Sequence, residues 1–299
     1  LTEPRTSHRL AHLQLHVAAA LFGLSALIGA ALALSPTLIV LGRGAFALLA
    51  LWLLCPLLGS RPWREVGAAT AGWLLLGGAL LTIHWLTFFA AVQLGGVALG
   101  TLGFACFPAF TTVFEWLLLR SRPSRRALYA LGAVSLGLVL VTPNLELGDR
   151  ALAGLLWGVC SGALYALLAI LNRATSARVA PLVASWWQCL MITLLLAPFA
   201  LFEERLPSAS EWGLLALLGI GCTALAYTLF VQALGKVRAS AAAVVIALEP
   251  VYAITAAWLL LGEIPATRTL AGGALILLAV VISARGEPQR SARASSQAP

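Results

Sequence analysis

The sequence predicts an all-α integral membrane protein, ten transmembrane helices arranged as two inverted five-helix repeats. Three observations carry that prediction. Of 299 residues 61% are hydrophobic and only 10% charged, with a mean hydropathy of +0.96. A soluble domain runs at about 25% charged residues, so this chain could not wet its own surface. Apolar segments of membrane-crossing length recur between charge clusters. The first half of the chain resembles the second, across an odd number of segments.

A helix needs about 20 mostly apolar residues to cross about 30 Å of hydrocarbon. Charge clusters and Pro/Gly punctuation divide the chain into ten such spans, at 12–34, 36–58, 67–91, 95–119, 127–142, 151–172, 181–202, 212–234, 238–261 and 267–284. The fifth is the shortest. Membrane strands would give segments of about ten residues with alternating polarity, and the sequence has none. Lys and Arg concentrate at the N-terminus and in alternate connections: Arg61 and Arg64, Arg120 to Arg126, Arg173 and Arg178, Lys236 and Arg238, and the C-terminal tail. The opposite connections hold Glu146, Asp149, Glu203, Glu204, Glu211 and Glu263. By the positive-inside rule both termini are expected in the cytoplasm. The net charge of +8 is then a topology signal that implies a bilayer and no nucleic acid.

Arg5 and Arg9 ahead of the first apolar run, with "ALA" at 31–33, mimic a secretory signal. The internal counterpart of this segment argues for a retained span. The tail "GEPQRSARASSQAP" has a disordered composition. Cys55, Cys106, Cys160, Cys189 and Cys222 all fall in spans without C-x-x-C spacing, so they predict small apolar packing residues and neither a disulfide nor a metal framework. No cofactor is implied.

"LGGVALGTLGFACFPAFTTVFEWLLL" (94–119) aligns with "LGKVRASAAAVVIALEPVYAITAAWLLL" (234–261). The offset is 140 at Val97/Val237 and 142 at Pro108/Pro250, Trp116/Trp258 and Leu119/Leu261. "LFG" (21–23) matches "LWG" (156–158), and Val92-Gln93 matches Val231-Gln232. The repeats run over 1–143 and 144–285, with 286–299 as tail. Five spans is odd, so the second copy enters the membrane from the other side. Many secondary transporters share this plan, with substrate near mid-depth at the repeat interface and access alternating between two gates.

Ten spans in two halves, a mid-helix proline in the fourth and ninth, and "WLLLGE" (258–263) closing the ninth resemble the drug/metabolite transporter superfamily. Within it the chain resembles the EamA-type ten-helix exporters and, by length and aromatic-rich spans, the YddG-like aromatic amino acid exporters. The first half departs from the pattern: it ends "WLLLRS" (116–121), without the Gly-Glu of the second. The resemblance implies a bacterial inner-membrane exporter of amino acids and related metabolites, and it brings no catalytic residues.

Site candidates follow from the cost of burying polar groups in lipid. A charge at a helix centre costs about 2.5–3.5 kcal/mol on the insertion scale, so it should face the bundle interior. Glu249 lies near the middle of its span, opposite Phe107 in the repeat, and either binds a substrate ammonium or a proton, or locks helix packing. Pro250 and Pro108 free backbone carbonyls and are candidate hinges. Tyr252 shares a face with Glu249 at i, i+3. Arg43, aligned with Gln188, either holds a substrate carboxylate or snorkels to helix-end carbonyls. His84, with Trp85 and Phe88, either meets substrate or a proton, or bonds between helices. Trp157, Ser161 and Tyr165 form one stripe of the sixth span, and Trp186 lies beside Gln188 in the seventh. Both sets either line a pocket or pack. Such a pocket suits a large neutral amino acid, with apolar walls and polar groups for its two ends. Glu115 is expected in an interfacial ion pair with the basic cluster that follows it.

An enzyme would need a reactive constellation. The sequence has no H-E-x-x-H, no G-x-S-x-G and no Walker A loop, "GVCSG" (158–162) and "ALGKV" (233–237) being the nearest approaches. A channel or facilitator remains the alternative to a carrier. Proton coupling needs a titrating group such as Glu249 or His84, whereas a facilitator needs none.

Overall fold

The computed structural model describes residues 3–120, 122–141, 149–175, 178–234, 245–246 and 248–284. Glu146, the small-residue run in "LGKVRASAAA" and the tail lie outside the described residues. The described chain is helical, without strands. Six helices are long and apolar enough to cross a membrane, within 9–31, 36–57, 68–104, 150–175, 181–202 and 209–230. Four shorter apolar helices, Phe107–Leu119, Ala127–Val141, Glu249–Leu261 and Thr267–Ile282, supply the rest.

The first span is the helix Glu3–Ala31, longer at its start than its apolar run. The second, Pro36–Leu57, begins where Ser35 Oγ accepts the Leu38 N–H at 3.1 Å and Pro36 takes the first turn. The third and fourth spans join without the expected loop. Helix runs from Ala68 to Phe104 through a reversal at Gly96, whose φ of 78° only glycine adopts without strain. Position 100 lies back against Val92.

The fourth span is two half-helices. The first stops at Phe104, Ala105 and Cys106 form a turn, and helix resumes over Phe107–Leu119 with Pro108 in its first turn. The ninth span repeats this backbone. Val245 and Ile246 are helical, Leu248 is a turn, and helix resumes over Glu249–Leu261 with Pro250 in its first turn. The residue before each new helix has nearly the same dihedrals, φ −76°, ψ −4° at Cys106 and φ −79°, ψ −2° at Leu248. Each half-helix ends in a left-handed residue, Arg120 (φ 53°) or Gly262 (φ 70°), whose N–H bonds five residues back. Proline lacks an N–H, which costs nothing in a first turn, so both prolines mark breaks in the helix and not bends within it.

The fifth span is Arg125–Val141, the sixth Arg150–Thr175 and the tenth Thr267–Ala284. The seventh runs α-helical over Pro181–Leu196 and tightens to 3₁₀ over Ala197–Phe202, where Pro198 interrupts the ladder. The eighth opens on a Ser208–Glu211 capping box, passes through a π-helical stretch at Leu217–Leu225, and returns to α-helix to Leu234.

Packing between spans follows a two-fold plan. The second meets the seventh and the fifth meets the tenth, each its own repeat counterpart. The other main contacts come in related pairs: third with seventh and second with eighth, third with sixth and first with eighth, fourth with sixth and first with ninth. Glycines allow the closest crossings. A Cβ on Gly154 would sit 2.4 Å from the Gly95 Cα, and one on Gly158 would sit 2.8 Å from the Gly100 carbonyl oxygen.

Candidate functional site

Arg43 is 5% exposed and stays inside the bundle. Its Nε donates to Thr223 Oγ1 at 2.8 Å and its Nη1 to Ser25 Oγ at 3.2 Å. The guanidinium carbon lies 3.9 Å from the Trp85 ring centroid, a cation–π contact worth about 0.5–2 kcal/mol. Thr223 is presented by the π-helical stretch, and its hydroxyl donates to the Leu218 carbonyl five residues back. Such wide turns re-aim side chains and recur at functional sites. Arg43 thus neither snorkels nor bonds helix-end carbonyls. Side chains from the first, third and eighth spans fix it.

Trp85 has His84 as its neighbour in sequence, and His84 faces a second cluster. His84 Nδ1 is 2.8 Å from Ser161 Oγ and 3.1 Å from the Ser161 carbonyl oxygen. Its ring lies 5.1 Å from Tyr165, 5.3 Å from Phe104 and 6.2 Å from Phe88. Phe107 stacks on Phe104 at 5.4 Å and meets Tyr165 edge-on at 5.1 Å. The break at Ala105–Cys106 puts both phenylalanines on this cluster.

Glu249, first residue of its half-helix, is half-buried. It is near enough to Arg43 and to Tyr165 to interact electrostatically with each. Among the described residues no hydrogen bond or ion pair holds its carboxylate. Its backbone is pressed against the first span, where a Cβ on Gly23 would lie 3.0 Å from the Glu249 carbonyl oxygen. Arg43 and the aromatic cluster are linked through the adjacent Trp85 and His84, with Glu249 within electrostatic reach of Arg43 and Tyr165, and spans of both halves contribute. Arg43, His84, Trp85, Phe88, Ser161, Tyr165 and Glu249 are brought together in this way.

The remaining candidates lie apart. Tyr252 turns to the first span, its hydroxyl 2.7 Å from His16 Nδ1. Trp157 is 44% exposed, off the buried face that carries Ser161. Trp186 packs against Trp63 and Trp187, its buried indole N–H without a hydrogen-bond partner among the described residues. Gln188 donates to Asn172 Oδ1 at 2.7 Å, joining the sixth and seventh spans. Glu115 pairs with Arg173 of the sixth span at 2.9 Å. An apolar crevice of about 330 Å³ lies elsewhere, between the second and eighth spans, lined by Leu38, Phe46, Leu49, Trp212 and Leu215 among others.

Sequence reasoning missed Ser25, Thr223, Phe104 and Phe107 as partners in the site. A serine and a threonine deep in apolar spans were a weak signal. The aromatic spacing in "FACF" beside Pro108 was a stronger one.

A helical bundle of two related halves, with charge and aromatic rings gathered at mid-depth between them, defines a membrane transport protein. The EamA-like transporter family profile matches residues 9–142 and again residues 152–285. This chain belongs to that family. It is 27% identical to the uncharacterized transporter YwfM of Bacillus subtilis over 84% of both chains. An uncharacterized transporter of Archaeoglobus fulgidus is 28% identical over 71% of this chain and 76% of its own. The pseudopaline exporter CntI of Pseudomonas aeruginosa is 25% identical over 83% and 85%. A solved crystal structure superposes with a TM-score of 0.63 at 20% identity, covering 91% of this chain and 96% of the other, a likeness of fold.

Proposed function

We propose that this transporter exports amino acids, aromatic or other large neutral ones, and related metabolites across a bacterial inner membrane by alternating access. Both termini are cytoplasmic in this reading, which follows from the side on which Lys and Arg collect. The observation that carries it is the separated charge pair. Ser25, Thr223 and Trp85 hold the Arg43 guanidinium away from Glu249, so the carboxylate is left for an incoming group. A zwitterion answers both: its carboxylate meets Arg43, its ammonium meets Glu249, and its side chain enters among Tyr165, Phe104, Phe107 and His84. These rings touch one another, so substrate parts them on entry. The relative named as an exporter supports the direction of transport. A proton is the coupling ion, exchanged at Glu249 when substrate leaves, and no catalytic step is involved.

Counterflow in proteoliposomes tests this. Internal unlabelled Phe or Trp should accelerate uptake of label, and an imposed pH gradient should change the rate. Glu249→Gln should abolish the response to pH while the protein remains folded. Currents without counterflow would show a channel. An unaltered pH response in Glu249→Gln would remove Glu249 from coupling.

A further inference from the structure

The Gly-Glu pair that closes the ninth span has no part in the mid-depth site, and the first half lacks it. Its surroundings give it a separate role. Gly262 ends the helix in the left-handed conformation and turns the chain toward the other half. There Glu263 Oε2 accepts the Val97 N–H at 2.9 Å. Val97 is the first helical residue after the Gly96 reversal, where N–H groups lack partners within the helix and the helix dipole favours a carboxylate. Gly96 makes the approach possible: a Cβ there would lie 3.1 Å from Oε2. The acidic face has a second tie between halves. Ser35 Oγ donates to Glu203 at 2.6 Å, and Arg205, raised above its ordinary pKa by the hydrogen bonds it donates to the Glu211 carboxylate, also donates to the Ala33 carbonyl at 2.6 Å. The residue aligned with Glu263 in the first half is Ser121, which has no carboxylate.

We propose that Glu263 is the latch of the acidic-face gate, a positioning residue that holds the fourth span of one half to the end of the ninth span of the other and must let go when that face opens. This rests on alternating access, though not on the substrate. A hydrogen bond to a charged acceptor contributes about 1.5–3 kcal/mol. Removing it should therefore raise the population open at this face by at least about tenfold.

The test is thiol accessibility in full-length protein whose native cysteines are replaced. Ile28→Cys reports the acidic half of the first span, where Ile28 is 5% exposed, and Leu168→Cys reports the sixth span, where Leu168 is 2% exposed. Adding Glu263→Ala should raise maleimide labelling at position 28 by at least about tenfold and leave position 168 unchanged. Glu263→Gln keeps an accepting oxygen and should retain most of the protection. An unchanged rate at 28, an equal rise at both positions, or Gln labelling as fast as Ala would each overturn the latch. Counterflow of Phe measured alongside is independent. Its absence with the labelling contrast intact would overturn the substrate and not the gate.

Discussion

Gly23 and Gly158 occupy the same place in the two repeats, yet they touch different parts of their partners. Gly158 crosses the fourth span before its break, against Gly100, Gly103 and Phe104. Gly23 crosses the ninth span after its break, against Glu249, Tyr252 and Ala253. The fourth span descends from the acidic face and the ninth rises to it, so both crossings lie between the breaks and that face. The two halves share a backbone plan but not a conformation. In an inverted repeat, that mismatch is what alternation between two states requires. If the halves traded conformations, Gly158 would move past the break onto the stretch around Phe110, the equivalent of Tyr252. The acidic face would then open and the basic face close.

The largest expected effect follows directly. A disulfide needs Cβ atoms about 3.5–4.5 Å apart; a Cβ on Gly23 would lie 3.2 Å from that of Tyr252 and 2.9 Å from the Ala253 backbone nitrogen, so the first and ninth spans must part by a few tenths of an ångström, which also brings the two Cβ atoms to bridging distance. Gly23→Cys with Tyr252→Cys should cross-link on oxidation, holding the first span against the ninth as described here save for that small separation. Transport should stop and return on reduction. The repeat-equivalent pair, Gly158→Cys with Phe110→Cys, should cross-link only while the protein cycles, and faster with substrate present. Equal, substrate-independent cross-linking of both pairs, read on a gel, would break the comparison.

Side chains differ between the halves more sharply than backbone does. Arg43 is matched by Gln188, Glu249 by Phe107 and, by the offset of 139 that joins Val92 to Val231, Thr223 by His84. The charges thus fall on one side of the pseudo-two-fold and neutral groups on the other. Arg43→Gln makes the halves alike at that pair. It replaces a charge-assisted contact with a neutral one, and should lower counterflow kcat/KM for a zwitterionic substrate by roughly 10- to 100-fold. Gln188→Leu breaks a neutral hydrogen bond to Asn172 and should lower transport less than about threefold, with thermal stability down by about 1 kcal/mol. Reversed effects would move the substrate site to the other side of the pseudo-two-fold.

The architecture was legible because lipid removes choices. A backbone with no water must close its own hydrogen bonds, so apolar length alone announces each helix, and the matched prolines announced the repeat. The breaks were half legible. Pro108 and Pro250 pointed to mid-span irregularity, but a proline equally suits a bend or a new first turn. Turns at Cys106 and Leu248 decide between them. Rotation about helix axes was the illegible part. Trp157, Ser161 and Tyr165 recur at helical spacing, yet the stripe diverges, Ser161 and Tyr165 joining the His84 cluster while Trp157 is exposed. Long-range partners such as Ser25 and Thr223 for Arg43, or Val97 for Glu263, depend on tertiary contacts that no local pattern encodes.

The smallest effect concerns the ends of the two broken spans, where one backbone shape is asked of two different residues. A residue with a Cβ pays roughly 1–2 kcal/mol in the left-handed region, whereas glycine enters it freely. Arg120 carries that cost, since its φ of 53° serves the same helix end that Gly262 forms at 70°. Its N–H still closes on the Glu115 carbonyl, as Gly262 closes on Ala257. Arg120→Gly should therefore stabilise the protein by about 1 kcal/mol, seen as a rise of a few degrees in detergent-solubilised thermal unfolding. Gly262→Ala should destabilise by a similar amount. The mirrored signs carry the argument. Should Arg120→Gly lower stability, the arginine side chain contributes more at the basic face than its backbone costs. The two helix ends, alike in shape, would then differ in what holds them.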